Sequence, residues 1–143
     1  MVVKGKVIRR DRGLDDIISR LSQRGIHGAT VEITFGDRSS VAAFNEFGTS
    51  RIPARPFIRT TFEQNQARYF RSMAQRLGSI MRGKSDFDTQ LERIGALVIA
   101  DLKASIAGWS DPPNAESTIR SKGFNNPLVE TGAMMNAIKA RIR

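Results

Sequence analysis

"ATVEITFGDRSSVAAFNEF", residues 29–47, is the stretch whose reading decides the fold class. Val31, Ile33 and Phe35 alternate with polar residues, the two-residue period of a half-buried strand. Gly36-Asp37 opens a turn, and after the loop over 36–40 the run "VAAFNEF" (41–47) suits a partner strand that Gly48 ends. The expectation is a short antiparallel hairpin.

Helical periodicity surrounds it. Upstream, "GLDDIISRLSQRG" (13–25) places Leu14, Ile17, Ile18 and Leu21 on one face, with Gly25 as a stop. Downstream, residues 60–82 read as a long helix. Phe62, Tyr69, Phe70, Met73, Leu77, Ile80 and Met81 share one side, and Arg68, Arg71, Arg76 and Arg82 fall opposite. Gly83 and "KSD" break that pattern. A second long helix is predicted over 86–107, capped by Ser85 or Asp86, with Phe87, Leu91, Ile94, Val98, Leu102 and Ile106 as its buried stripe. "GWSDPPN" (108–114) is a turn, 115–122 a short helix, and "PLVETGAMMNAIKARIR" offers Thr131 as a cap before an alternating end at Ile138, Ala140 and Ile142. The fold class expected is α+β. A small antiparallel β-sheet packs with two long α-helices, beside a short N-terminal helix and an extended proline-containing arm. One domain is expected, divided into 1–47, 48–59, 60–107 and 108–143.

With 143 residues the chain can bury a core without disulfides or metals, and it has no cysteine to form a disulfide or act as a thiol nucleophile. Neither a membrane-length apolar run nor a secretory signal is present, so a soluble intracellular product is expected. Charge is uneven. Residues 1–85 hold 16 Lys and Arg against 7 Asp and Glu, while residues 86–143 hold 7 of each. The whole excess of +9 therefore lies upstream, which suits a polyanion or an acidic protein surface.

Catalytic groups are scarce. The single histidine, His27, sits in the turn between Gly25 and Gly28 and cannot build a histidine-rich metal site. Asp15 and Asp16 are adjacent, hence about 100° apart on a helix, and fit the first helical turn better than a carboxylate pair. "GKSD" (83–86) lacks the upstream glycine and strand of a phosphate loop. No enzyme, cofactor or metal is expected. Nucleic-acid binding has more to support it, in the arginines of 60–82 and in Arg9, Arg10 and Arg12. Yet the aromatics group with apolar residues, which argues against a stacking platform for single strands.

Between strand and helix lies "FNEFGTSRIPARPFIR" (44–59). Pro53 and Pro56 fix φ and push Ile52 and Arg55 toward extended conformations, so a stiff arm should lead into the long helix. A stiff arm loses little entropy on docking, and its arginines can fork onto carboxylates or carbonyls, with Glu46 a candidate partner.

"NEFGT" (45–49) followed by "IPARPFIR" (52–59) resembles the E-x-G-T…P-A-R-P-F-hydrophobic-R signature of the neck and tail-completion proteins of long-tailed bacteriophages. Trp109, "TIRSK" (118–122) and "PLVETGAMMNAI" (127–138) resemble the ending of phage virion-morphogenesis proteins, so that the likeness runs from about 44 to 138. Asn136-Ala137-Ile138 and Met134-Met135 depart from the usual pattern there. The resemblance implies a structural subunit of the head–tail junction. It would form a ring, often sixfold, that joins the tail tube and tail terminator to the head-closure and connector proteins. It would reside in the neck of the virion, after assembly in the host cytoplasm, with genomic DNA passing through its lumen. On that reading Glu46, Gly48, Arg51, Pro53, Arg55, Pro56, Phe57 and Arg59 make subunit contacts, and Arg68, Arg71, Arg76 and Arg82 face the DNA channel. For Phe57 and Ile58, starting the helix and filling the core is an equal alternative. For "PLVETG" it is helix capping by Thr131 with Leu128 packed inward. The rival function is a small basic nucleic-acid-binding protein of prophage origin. A toxin-type nuclease would need clustered His, Asp or Glu.

Overall fold

The computed structural model describes residues 30–143. The helix expected over 13–25 and His27 lie outside them, as do Arg9, Arg10, Arg12, Asp15 and Asp16. The described chain is mostly helical with one small antiparallel sheet, in keeping with an α+β class. Strand β1 (Val31–Thr34) leads through a single 3-10 turn into α1 (Ser39–Phe47). The long helices α2 (Phe57–Met81) and α3 (Phe87–Gly108) follow, then α4 (Glu116–Lys122), α5 (Ala133–Asn136) and β2 (Lys139–Ile142).

The hairpin expected over 31–47 does not form. Residues 41–47 belong to α1, and β1 pairs instead with β2, antiparallel, with Val31 opposite Ile142 and Ile33 opposite Ala140. Local physics explains the difference. "VAAFNEF" carries two adjacent alanines, strong helix formers, and its apolar residues do not alternate. As a helix it places Ala42 and Glu46, four residues apart, on one buried face. Gly36, at φ +55°, turns the chain out of β1, and the Ser39 hydroxyl donates to the Gly36 carbonyl at 2.8 Å. A two-stranded sheet is marginal alone. This one is held against α3 at Gly95, where an added Cβ would lie 2.7 Å from the Ala140 Cβ and 3.3 Å from Val31 Cγ1. Such an approach admits no side chain.

Helix α3 follows its predicted stripe in its second half, while Phe87, Leu91 and Ile94 are half-buried and Gln90 and Gly95 are buried beside them. Val98, Leu102 and Ile106 are buried, and Asp86 caps the first turn by accepting from the Thr89 amide at 2.9 Å. The orientation of α2 is different from that expected. Its face against α3 is largely polar. Arg68 pairs with Asp101, the Tyr69 hydroxyl donates to Asp101 at 2.8 Å, and Arg76 donates to Gln90 at 3.1 Å. Burial pushes the Tyr69 phenol well above its usual range, reinforced by its hydrogen bond to Asp101 and by that residue's charge. Of the apolar side expected to be buried, Phe62, Phe70, Met73, Leu77 and Met81 are exposed, Phe70 at 67%. The arginines are divided accordingly: Arg68 and Arg76 turn to α3, whereas Arg71 and Arg82 are open to solvent.

Candidate functional site

The segment 44–59 folds back on its own chain. Helix α1 ends at Gly48, whose amide donates to the Phe44 carbonyl at 3.0 Å and whose φ is +75°. A Cβ on Gly48 would lie 2.8 Å from the Ala54 amide nitrogen and 3.0 Å from the Ile52 carbonyl oxygen. Conformation and space both require glycine here. Thr49 closes the next turn. Its amide donates to the Ile52 carbonyl at 2.8 Å, and its hydroxyl accepts from the Ile52 amide at 3.0 Å. The arm is thus a tight loop from 48 to 56, and α2 begins at Phe57, earlier than expected.

Glu46 is buried beneath that loop. Its two carboxylate oxygens accept from the Ile58 amide at 2.8 Å and the Arg59 amide at 3.1 Å. The first amides of a helix have no partner within it, and a carboxylate there also meets the positive end of the helix dipole. Glu46 is therefore a cap supplied to α2 from the preceding helix. Its placement depends on residues 41–47 being helical.

Arg55 is buried as well. Its guanidinium donates to the carbonyls of Pro112 at 3.0 Å and Pro113 at 3.1 Å, and to Asn45 Oδ1 at 3.4 Å. Its amide donates to the Asn45 carbonyl at 2.6 Å. Desolvation lowers the Arg55 pKa from its ordinary value. Arg55 thereby ties α1 to the turn after α3, where Asp111–Pro112 is a cis peptide. Phe57 is wholly buried, edge-to-face with Phe35 at 5.8 Å between ring centroids. Of the eight residues expected at a subunit interface, Glu46, Arg55 and Phe57 are committed inside the chain. Gly48 and Pro56 are half-buried, and Arg51, Pro53 and Arg59 are exposed.

The distal segment folds beside this clamp. Lys122 donates to the carbonyls of Asn126, at 2.9 Å, and Val129. Asn126 Nδ2 donates to the last carbonyls of α3, those of Ile106 at 3.2 Å and Ala107 at 2.8 Å. Its Oδ1 accepts from the Leu128 and Val129 amides, each at 2.9 Å. Asn126 therefore fastens three pieces together, a role the sequence signalled only through the Asn-Pro turn it opens. Leu128 is buried, as the packing alternative required, but the N-cap of α5 is Gly132, without a side-chain cap, and Thr131 stands one residue earlier, its hydroxyl accepting from the Ala133 amide at 3.3 Å.

Between clamp and distal segment runs a groove of about 850 Å³. Arg51 and Pro53 line one wall, and Ser117, Thr118, Ser121 and Thr131 line the other. Asn114 Nδ2, also at the groove, is buried and has no hydrogen-bond partner among the described residues. Among the described residues no group of three or more His, Cys, Asp and Glu is placed to hold a metal, and no helix is long and apolar enough to cross a membrane. Comparison with protein-family models, curated proteins and solved structures gives no match.

Proposed function

We propose that this chain is a structural subunit of the head–tail junction of a long-tailed bacteriophage, a neck or tail-completion protein without catalytic activity or cofactor. The observation that carries the reading is the meeting of two segments far apart in sequence. "NEFGTSRIPARPF" and "TIRSK…PLVETG" carry the resemblance, and both line the same groove. Their most distinctive residues divide into a frame and a presented edge. Glu46, Gly48, Arg55, Pro56 and Phe57 hold the shape, and Arg51, Pro53 and Arg59 face a neighbour.

The neighbour is first of all another copy, in a ring of six, set between tail-tube or tail-terminator proteins and the head-closure and connector proteins. The protein acts in the virion neck after assembly in the host cytoplasm. Arg71 and Arg82 are the channel-facing candidates for transient contact with genomic DNA, because Arg68 and Arg76 are engaged with α3. A prophage-derived nucleic-acid-binding protein is less well supported for the same reason.

Electron microscopy of particles made without this protein tests the role. Filled heads lying apart from finished tails are expected, and intact virions would overturn it.

A further inference from the structure

The sheet of β1 and β2 has one face against α3 and one face open. Val31 and Ala140 point to Gly95 of α3, so the residues that alternate with them point outward. Outward on β2 and just past its end stand Lys139, Arg141 and Arg143, all exposed. Opposite them across the ladder are Thr34, Glu32 and Thr30, the last joined to Arg143 by two backbone hydrogen bonds of 2.8 and 2.9 Å. Every outward side chain on the β2 side is therefore a cation. The β1 side supplies one carboxylate, Glu32, which pairs with Arg143 at 2.9 Å. Two positive charges remain in excess on a surface two strands wide.

We propose that this outer face of the sheet is a contact surface for duplex DNA, held through the phosphate backbone without reading bases. It adds a site on the sheet to the arginines of α2, and it rests on the reading above for the source of the DNA.

Three observations favour it. The first is chemical. Protein interfaces draw their energy from buried apolar and aromatic anchors and are depleted in lysine. This face offers no such anchor, because its outward residues are Lys, Arg, Thr and Glu. Phosphate binding needs only cations, since the gain comes from releasing counterions condensed on the DNA. The second is spacing. Alternate residues of an antiparallel strand stand about 6.8 Å apart, and each strand of the duplex carries roughly one phosphate per 3.4 Å of axis. Lys139, Arg141 and Arg143 thus keep step with every second phosphate. The third is availability. Lys139 and Arg141 have no ion-pair partner among the described residues, whereas Arg68 and Arg76 of α2 are turned to α3. The row is also held straight, on a ladder buttressed by α3 at Gly95.

Fluorescence anisotropy of the full-length chain with a short labelled duplex of mixed sequence tests the proposal, between about 50 and 200 mM salt. Affinity is expected to fall linearly with salt on logarithmic axes, and to be the same for a duplex of scrambled sequence. The triple variant Lys139→Gln, Arg141→Gln, Arg143→Gln should reduce that slope by about 2.7, or about 0.9 for each phosphate contact removed. Its affinity at the low-salt end should drop by about tenfold or more. The control triple Lys84→Gln, Arg93→Gln, Arg120→Gln removes the same charge from exposed positions on other elements, and should change the slope by less than about one. Glu32→Gln takes the carboxylate off the face and should tighten binding several-fold. It decides the matter even if the sheet triple, followed by its thermal melt, fails to fold. Equal losses in the two triples, unchanged affinity for Glu32→Gln, or no binding by the parent at the low-salt end would each overturn the proposal. So would tighter binding of poly-glutamate than of duplex at matched charge, which would assign the face to an acidic protein. The titration is read on the purified chain, so it can fail while the micrographs uphold the junction role, and the reverse.

Discussion

Arg55→Met is expected to lower the thermal midpoint by roughly 10 °C, while Arg51→Ala and Arg59→Ala leave it nearly unchanged. These arginines lie within nine residues of one another, yet their surroundings differ. The Arg55 guanidinium is buried and reaches two prolyl carbonyls and an asparagine oxygen. Hydrogen bonds from a charged donor contribute about 1.5–3 kcal/mol each, and their removal leaves the Pro112 and Pro113 carbonyls without those partners. Desolvation of the charge, visible in the lowered Arg55 pKa, opposes that gain. A net loss of about 3 kcal/mol is the expected balance. Methionine keeps an unbranched apolar stem in the space and isolates the loss of donors from the loss of packing. Arg51 and Arg59 are exposed, where substitutions usually stay within about 0.5 kcal/mol. Circular-dichroism melts of the three variants check this. If Arg59→Ala destabilised as strongly as Arg55→Met, the division between frame and presented edge would be wrong.

Phe57→Ala should be more damaging still. Phe57 has no accessible surface, opens α2 and meets Phe35 edge-to-face at the junction of β1 and α1. Removing a fully enclosed aromatic costs about 3–5 kcal/mol, the lost transfer energy plus the cavity left behind. The cavity here cannot readily collapse. The backbone around Phe57 is pinned by the Glu46 cap on the Ile58 amide and by the buried Thr61 hydroxyl, which donates to the Phe57 carbonyl at 2.6 Å. Phe57→Leu should lose less than about 1.5–2 kcal/mol, because most of the volume is kept. Urea unfolding of both variants is the check, with a lowered midpoint and an unchanged slope expected. A Phe57→Ala protein as stable as the parent would place Phe57 at a subunit surface after all.

Much of the fold could be read from residue order, and what could not has specific causes. Strand β1 and both long helices follow from periods of two and 3.6 residues. The partner of β1 did not, because residues 41–47 are short and apolar enough to suit either state, and the true partner lies about a hundred residues downstream. Pairing at that separation leaves no local trace. The apolar side of α2 is legible in the sequence, but of its residues only Tyr69 reaches the core and Ile80 is half-buried. Periodicity identifies a face without saying what it meets, and α3 offers α2 polar partners in Asp101 and Gln90. In the candidate site, the contacts that Glu46 and Arg55 make are not legible in the sequence. Glu46 could be recognised as a cap for Ile58 and Arg59 only with α1 as a helix. The partners of the Arg55 guanidinium at Pro112 and Pro113 are more than fifty residues away.

On the proposed function, a frame built by Glu46, Arg55 and Phe57 presents Arg51, Pro53 and Arg59 for assembly into a ring. Sedimentation velocity of the full-length chain tests it most directly, alongside an Arg51→Glu, Arg59→Glu double variant. One discrete species near six chain masses is expected for the parent. The variant should show a shift to smaller species at an unchanged melting temperature. A parent that stays monomeric at every concentration, and that binds duplex DNA with affinity falling steeply as salt rises, would contradict it.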